Sequence, residues 1–287
     1  MNSMGSIIQL KRIRQEKRNM LALRRYENEK IIAMHKMVIT MNTMQPKKVL
    51  AFCFLVYDEI VREDIWIKYF EKISSDKYKI FVNCKTPNKI NKSSFFASKQ
   101  IPHPVRNTAW GEFSLITAQN ALFKEAFKNP EITHFILVSY NTIPIKPFHE
   151  LYSSLDFHSI IDYRNANAWE HKRRYYGINN PQFHIDNFFV QSQWCILTRI
   201  HTDLLIKDFN YIKAIFSSMR IPDEHCYINY LIHYKKALFI INQPSTLVDF
   251  SKGTPNVFKH INSSTISGTP AFFIRKVSPY TKVQINI

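Results

Sequence analysis

The chain has 287 residues, of which 45% are hydrophobic and 14% aromatic, as expected for one large folded domain or two small ones. Its formal net charge of +17 favours polyanionic or phosphorylated partners. Residues 1–44 contain nine Lys/Arg and three Glu, so a good part of that charge lies in the N-terminal segment. With five glycines and neither GxGxxG nor GxxxxGK[ST], the sequence excludes the glycine-rich phosphate-binding loops.

Residues 1–46 are predicted to be a basic N-terminal extension, and residues 47–287 the folded domain. Apolar residues in the extension recur at helical spacing between the basic ones. Two interpretations stay open: an amphipathic helix that brings residues 1–40 to a membrane surface, or a solvated and partly helical tail.

From residue 47 onward, strand-like and helix-like segments alternate. The predicted strands are 47–57, 77–84, 132–139, 159–163, the first part of 187–208, 237–244, 245–251 and 271–277. The predicted helices are 58–74, 107–129, the second part of 187–208, and one that begins at Pro222. This alternation predicts an α/β fold with a mostly parallel central sheet flanked by helices, and ligands beyond the carboxyl ends of its strands.

The helix predicted over 107–129 supplies candidate core residues at helical spacing. They are Trp110, Phe113, Ala118, Ala121, Leu122 and Phe127.

The four cysteines have no metal-binding or CxxC spacing. Cys53, Cys195 and Cys226 lie in apolar runs and are interpreted as buried thiols, which favours a reducing compartment. One disulfide between distant elements stays open. No apolar run reaches the ~18–20 residues of a membrane span, and no secretory signal pattern is present, so a cytoplasmic location is expected.

The segment RIPDEHCYINYL, residues 220–231, places two carboxylates before an apolar run. Capping is one interpretation, because acidic residues near Pro222 would oppose the positive end of a helix dipole. A general base is the other. Glu224, Ile228 and Leu231 have the spacing of one helical face, and burial there would raise the pKa of Glu224.

Six segments occur in the order found in one known family. They are WGEFSL (110–115), HFILVSYNTIPIKPF (134–148), QSQWCILTR (191–199), PDEH (222–225), VDFSKGTP (248–255) and FFIRKVS (272–278). Together they resemble the core-2/I-branching β-1,6-N-acetylglucosaminyltransferase family, with its xylosyltransferase and plant relatives, over roughly residues 48–278.

The resemblance implies a GT-A-like fold and an inverting glycosyltransferase. Such an enzyme moves N-acetylglucosamine or xylose from a UDP-sugar to a hydroxyl of a glycan or glycoprotein acceptor. It also implies a reaction without a metal or other cofactor, and the sequence agrees in containing no DxD motif. Most relatives carry an N-terminal Golgi anchor, which this sequence does not show.

On the same resemblance, Glu224 matches the general base and Asp223 is its helix-capping neighbour. Lys276 matches a lysine that contacts the donor diphosphate, and Lys259 is the nearest candidate for a second cation. Arg275 is grouped with them, although alternation along a strand would point it to the opposite face from Lys276.

The acceptor side is less sharply defined by the motifs. HKRRYYG (171–177) resembles a basic segment near the acceptor and offers Arg173, Arg174 and Tyr175, with an exposed basic loop as an equal alternative. Glu112 in the WGE motif and Asn141 before the Ile-Pro pair are further candidates.

Two further residues bear on the fold, and one short segment bears on the substrate. Trp194 and Asp249 are interpreted as structural. The aromatic acceptor platform of the N-acetylglucosaminyl members is not matched by QPST, residues 243–246, which weakens the case for a mucin-type acceptor.

A second function from a different class also fits the charge. It is a non-catalytic basic protein of glycosyltransferase-like fold that binds nucleic acid or an acidic surface. No helix-turn-helix, zinc finger or stacked-aromatic RNA motif supports it, so no specific nucleic acid partner is expected.

Overall fold

The computed structural model describes residues 48–86, 89–166, 173–178, 180, 183, 185–234 and 236–287. The extension predicted for residues 1–46, with its possible membrane contact, lies outside the described residues.

Short helices and strands alternate along the described chain. The strands are β1 (Val49–Val56), β2 (Tyr78–Cys84), β3 (Ile132–Ser139), β4 (Thr142–Pro144), β5 (Ser159–Ile160), β6 (Tyr163–Asn165), β7 (Phe189–Gln191), β8 (Ile196–Thr198), β9 (Ile240–Ile241), β10 (Thr246–Val248), β11 (His260–Asn262), β12 (Phe273–Arg275) and β13 (Lys282–Gln284). The helices are α1 (Glu63–Glu71), α2 (Ser114–Phe127), α3 (Phe148–Ser154), α4 (Arg199–Lys207), α5 (Phe209–Phe216), α6 (Cys226–His233) and α7 (Ser263–Ile266).

A six-stranded sheet in the order β2-β1-β3-β8-β5-β9 forms the centre of the fold. β1 pairs in parallel with both β2 and β3, and β5 with β9, whereas β8 runs antiparallel to its neighbours β3 and β5. The mostly parallel α/β sheet expected from the sequence is therefore confirmed.

Both faces of this sheet are buried, which explains why β1 is a continuous apolar run. Its residues alternate between two cores: Ala51 and Cys53 on one side, and Phe52 and Phe54 on the other. Helices α2, α4, α5 and α6 contribute to the first core, and α1 and α3 to the second.

A smaller, three-stranded sheet lies near the carboxyl end of β3. β12 lies between β10, to which it is parallel, and β4, to which it is antiparallel. Because β4 follows β3 after a turn, this pairing brings the end of β12 close to the carboxyl end of β3.

Several predicted elements are shorter in the structure. The helix expected over 107–129 begins only at Ser114, and the helix expected over 58–74 spans Glu63–Glu71. The prediction that Trp110 lies in the core is wrong, because the residue is in the loop before α2 with 77% of its surface exposed.

All four cysteines are buried free thiols. The interpretation of Cys53, Cys195 and Cys226 as buried thiols is therefore confirmed, and the disulfide left open by the sequence is absent among them. Within the described part of the chain, no helix is both long enough and apolar enough to cross a membrane.

Trp66 on α1 anchors the second core. Its fully buried indole packs against the rings of Phe52, Phe54 and Phe273, and its Nε1–H donates a hydrogen bond of 2.9 Å to the carbonyl oxygen of Thr142 in β4. This contact holds β4 against α1.

Replacement of Trp66 and of Trp110 should lower the free energy of unfolding to very different extents. We expect Trp66→Ala to lower the free energy of unfolding by about 3–5 kcal/mol through cavity formation. Trp110→Ala should change it by about 0.5 kcal/mol or less, because the side chain is already solvated. Urea unfolding of the two variants and the wild type measures both effects, and comparable losses in the two would contradict the assigned burial.

Candidate functional site

The Pro222–Glu224 segment forms a tight 3₁₀ turn, not the first turn of a long helix. His225 follows with φ of −142°, outside helical geometry, and α6 begins only at the next residue. The predicted alignment of Glu224 with Ile228 and Leu231 on one helical face is therefore wrong, because a non-helical residue separates them.

One backbone hydrogen bond ties this turn to the loop before α2. Ile221 and Gly111 both adopt left-handed backbone conformations, with φ of 55° and 77°. For a β-branched residue this costs about 1–3 kcal/mol. The N–H of Ile221 donates to the carbonyl oxygen of Gly111 at 2.8 Å, and a Cβ on Gly111 would lie 3.5 Å from Cγ1 of Ile221. The hydrogen bond fixes the position of Ile221 at the start of the turn.

Glu224 is the accessible carboxylate of the turn. Its side chain is 35% exposed and accepts a hydrogen bond of 2.6 Å from Nη1 of Arg174, whose side chain is 16% exposed. The arginine comes from the HKRRYYG segment, so the structure joins two motifs that the sequence separates. This charge-assisted hydrogen bond orients the carboxylate.

His225 supports this ion pair from below. The ring is buried and stacks on Phe188 with centroids 4.9 Å apart, and Nδ1 lies 2.8 Å from the carbonyl oxygen of Phe189. A carbonyl oxygen only accepts, so Nδ1 carries the proton and Nε2 is the acceptor that faces Arg174 at 3.4 Å. The histidine thus helps to position the guanidinium group.

Asp223 is the buried carboxylate, with 6% of its surface exposed. Neither the 3₁₀ turn nor α6 has a side-chain cap hydrogen bond, so the prediction that Asp223 caps the helix is wrong. Within the described part of the chain, Oδ1 has no hydrogen-bond partner. Burial, followed by the charge of Glu224, raises the pKa of Asp223 to about 7.

A cleft of about 310 Å³ lies beside the turn. The described residues that line it come from two segments, and none is acidic: Arg173, Arg174, Gly177, Ser218, Arg220 and Ile221. The cleft therefore has a basic wall, and one of its residues, Arg174, pairs with the partly exposed carboxylate of Glu224.

A second basic group lies at the end of β12. The guanidinium carbon of Arg275 lies 4.5 Å from the ring centroid of Trp194, and its Nε donates to Oγ of Ser139 at the end of β3. Burial lowers the pKa of Arg275 to about 10. Lys276 follows, partly exposed, with its pKa lowered by burial and by the charge of Arg275.

Lys259 is exposed and near this group along the backbone. The neighbouring N–H of Phe258 donates to the carbonyl oxygen of Lys276 at 2.9 Å. The predicted diphosphate residues are therefore adjacent at the level of the main chain, with Arg275 the most buried of the three.

The predicted acceptor residues differ in their placement. Arg173 and Glu112 are exposed, and Arg174 contacts Glu224. The hydroxyl of Tyr175 donates to the carbonyl oxygen of Phe183 at 2.6 Å.

Asn141 is buried, and its Oδ1 accepts a hydrogen bond of 2.8 Å from Ser139. Asn141 and Tyr175 thus have structural contacts that hold the site's supporting elements together. The two residues interpreted as structural fit that role as well. Trp194 is buried under Arg275, and Asp249 accepts hydrogen bonds within the 249–256 turn.

Sequence patterns missed two features of the site. Arg220 lines the cleft. The sequence signal that could have indicated this is its position immediately before Ile221 and the PDEH motif. Trp110 is exposed in the loop that Gly111 attaches to the turn. An aromatic residue with a helical neighbourhood is ordinarily assigned to a core, so the pattern could not reveal its exposure.

No three His, Cys, Asp or Glu side chains of the described residues come together in a group able to hold a metal ion. The metal independence implied by the resemblance remains a prediction that requires a measurement.

The sheet order and the helices on both faces define an α/β protein with a GT-A-like glycosyltransferase fold. The family model described as "Core-2/I-Branching enzyme" matches residues 50–271, and the chain belongs to this family. It is also similar to Glycosyltransferase BC10 of Oryza sativa subsp. japonica, with 27% identity over 163 residues. The matched stretch covers 55% of this chain and 40% of that relative, so the chain spans less than half of the relative's length.

The buried carboxyl of Asp223 predicts a specific pH dependence of stability. Its pKa is about 7 in the folded protein against 3.8 for a solvated group. Between these values the folded state binds a proton that the unfolded state lacks, so this group's contribution to stability falls as pH rises. The limiting slope is about 1.4 kcal/mol per pH unit.

Asp223→Asn removes this titration. We expect the stability of the variant relative to the wild type to increase as the pH is raised from 5 to 8, as measured by urea unfolding at each pH. Glu71→Asn, at an exposed position on α1, is the control. Parallel curves for Asp223→Asn and the wild type would contradict the raised pKa.

Proposed function

We propose that this protein is an inverting glycosyltransferase that uses a UDP-sugar, with N-acetylglucosamine or xylose as the transferred sugar. Membership of the core-2/I-branching family supports this assignment. The observation that carries it is the partly exposed carboxylate of Glu224, held by Arg174, which also lines a basic cleft. The acceptor is a hydroxyl of a glycan or glycoprotein.

Glu224 is the general base of the proposed reaction. It takes the proton of the acceptor hydroxyl as the acceptor oxygen forms a bond to the anomeric carbon. The bond from that carbon to the diphosphate oxygen breaks on the opposite face, and UDP leaves with the electron pair. Of the two adjacent carboxylates, Glu224 suits this step better, because a base must reach the hydroxyl and Asp223 is buried.

The Arg174 contact has a defined role in this proposal. The charge-assisted hydrogen bond from Arg174 holds the carboxylate in one direction, so the base is oriented before the acceptor binds. The remaining carboxylate oxygen, Oε1, has no hydrogen bond among the contacts described for Glu224 and is available to a hydroxyl. His225 keeps Arg174 in place through Nε2.

Arg275 and Lys276 stabilise the leaving diphosphate, with Lys259 as a third cation. The support is the position of Arg275 at the end of β12, near the carboxyl end of β3, where ligands of open α/β sheets bind. In the described part of the chain, Arg275 forms no ion pair with a carboxylate, so its positive charge is available to a phosphate. Fixed cations of this kind offset the growing negative charge without a metal.

A non-catalytic basic protein remains the second candidate, because the net charge of +17 favours polyanions. It gives no role to the Arg174–Glu224 pair, and the family match favours the enzyme. A cytoplasmic location is also proposed, supported by four free thiols, as expected in a reducing compartment.

The first test is UDP release from a panel of UDP-sugars by the wild type and by Glu224→Gln, with and without EDTA. We expect release from one sugar, unaffected by EDTA, and a loss of about 10²–10⁴ in turnover in the variant, since general-base help is removed. UDP binding should be unchanged. Glu71→Gln, at an exposed position on α1, is the matched control.

Two outcomes would count against the enzyme. Near-normal turnover in Glu224→Gln would remove the base assignment. No release from any UDP-sugar, together with no thermal shift by UDP, would favour the binding protein instead.

A second prediction concerns the diphosphate. We expect Lys276→Ala to weaken UDP binding by roughly tenfold, the effect of about 1.4 kcal/mol from a lost charge-assisted contact. Lys68→Ala, an exposed position on α1, should leave UDP binding unchanged. Calorimetric titration with UDP measures both, and equal affinities for the two variants would exclude Lys276 from the donor site.

A further inference from the structure

In the described part of the chain, three arginines line the cleft, and the Arg174–Glu224 ion pair neutralises only one of them. Arg173, Arg174 and Arg220 line it, and only Arg174 has an ion pair with a carboxylate among the described residues. Arg173 and Arg220 are both exposed. Two guanidinium groups of the wall are thus available to a bound anion.

Packing between two chain segments fixes this wall. A Cβ on Gly177 would lie 2.8 Å from Cα of Met219 and 2.9 Å from the carbonyl oxygen of Ser218, so only glycine permits this approach. Oγ of Ser218 also donates to the carbonyl oxygen of Gly177 at 3.0 Å. The segment with Arg173 and Arg174 is therefore held directly against the segment with Arg220.

The geometry of inversion decides which substrate this wall faces. The attacking hydroxyl and its base lie on one face of the anomeric carbon, and the diphosphate leaves from the other. Arg174 contacts the base itself, so the cleft that it lines belongs to the base side. We therefore assign its cations to the acceptor side, and Arg275 and Lys276, at the end of β12, to the diphosphate.

We propose that the acceptor carries an anionic group close to the hydroxyl that is glycosylated, and that Arg173 and Arg220 bind this group; the inference rests on the proposed function. The anion is a carboxylate, a sulfate or a phosphate, which share the oxygen geometry that a guanidinium fork binds in a bidentate manner. The arginines thereby select an acidic glycan over a neutral one.

The test compares four ligands built on one sugar ring. They are methyl galactoside, methyl galacturonate with a free carboxylate, methyl galactoside 6-sulfate and methyl galactoside 6-phosphate. Small ligands of this kind limit contacts with the basic N-terminal segment of the full chain. Affinities are measured at 150 mM salt by ligand-observed NMR titration, in the presence of UDP.

We expect at least one anionic ligand to bind about tenfold more tightly than methyl galactoside, and the three anions to identify the preferred group. Arg173→Gln and Arg220→Gln should each weaken that ligand several-fold, and the double variant should remove the preference. Arg→Lys at each position should weaken it less, because the charge remains. Lys68→Gln on α1 controls for the overall positive field.

Three results would overturn the inference. They are equal affinities for all four ligands, an undiminished preference in the double variant, and an equal loss in Lys68→Gln. A loss of UDP affinity in the double variant would also overturn it, since the cleft would then bind the diphosphate. Failure of the proposed function is distinguishable, because the wild type would then neither bind UDP nor release it, while equilibrium binding of the galactosides requires no turnover.

Discussion

The hydrogen bond from Ile221 to Gly111 is the constraint on which the site depends. Both residues are in left-handed backbone conformations, which Gly111 adopts at low cost and Ile221 does not. The contact between the two segments must therefore outweigh the strain at Ile221. It fixes where the chain enters the Pro222–Glu224 turn, and so which of the two carboxylates stays partly exposed.

Two neighbouring carboxylates acquire different properties from this one turn. Glu224 is partly exposed and pairs with Arg174, whereas Asp223 is buried, which raises its pKa. Divergent environments for adjacent acids are typical of sites that move protons. The buried charge of Asp223 is costly above neutral pH, and the proximity of Glu224 increases that cost.

Among the described residues, positive charge is concentrated at the end of β12 and along the cleft. Arg275 is held at the end of β12 by the Trp194 ring and by its hydrogen bond to Ser139. The arginine wall of the cleft is held by the close approach of Gly177 to Met219. A net charge of +17 by itself predicts only attraction to anions, whereas these fixed positions support the proposal of one group for a leaving diphosphate and another for an acidic acceptor.

The sequence by itself determined the α/β class, the buried strands β1 and β3 and the family, because these follow from local periodicity and from motif order. Tertiary structure decided which of Asp223 and Glu224 is buried and which stays partly exposed, a choice that no pattern distinguishes between adjacent acids. It also decided the pairing of Glu224 with Arg174, 50 residues away, and the exposure of Trp110. Such features depend on which distant segments come into contact when the chain folds. Sequence patterns do not reveal them, because local sequence encodes local geometry only.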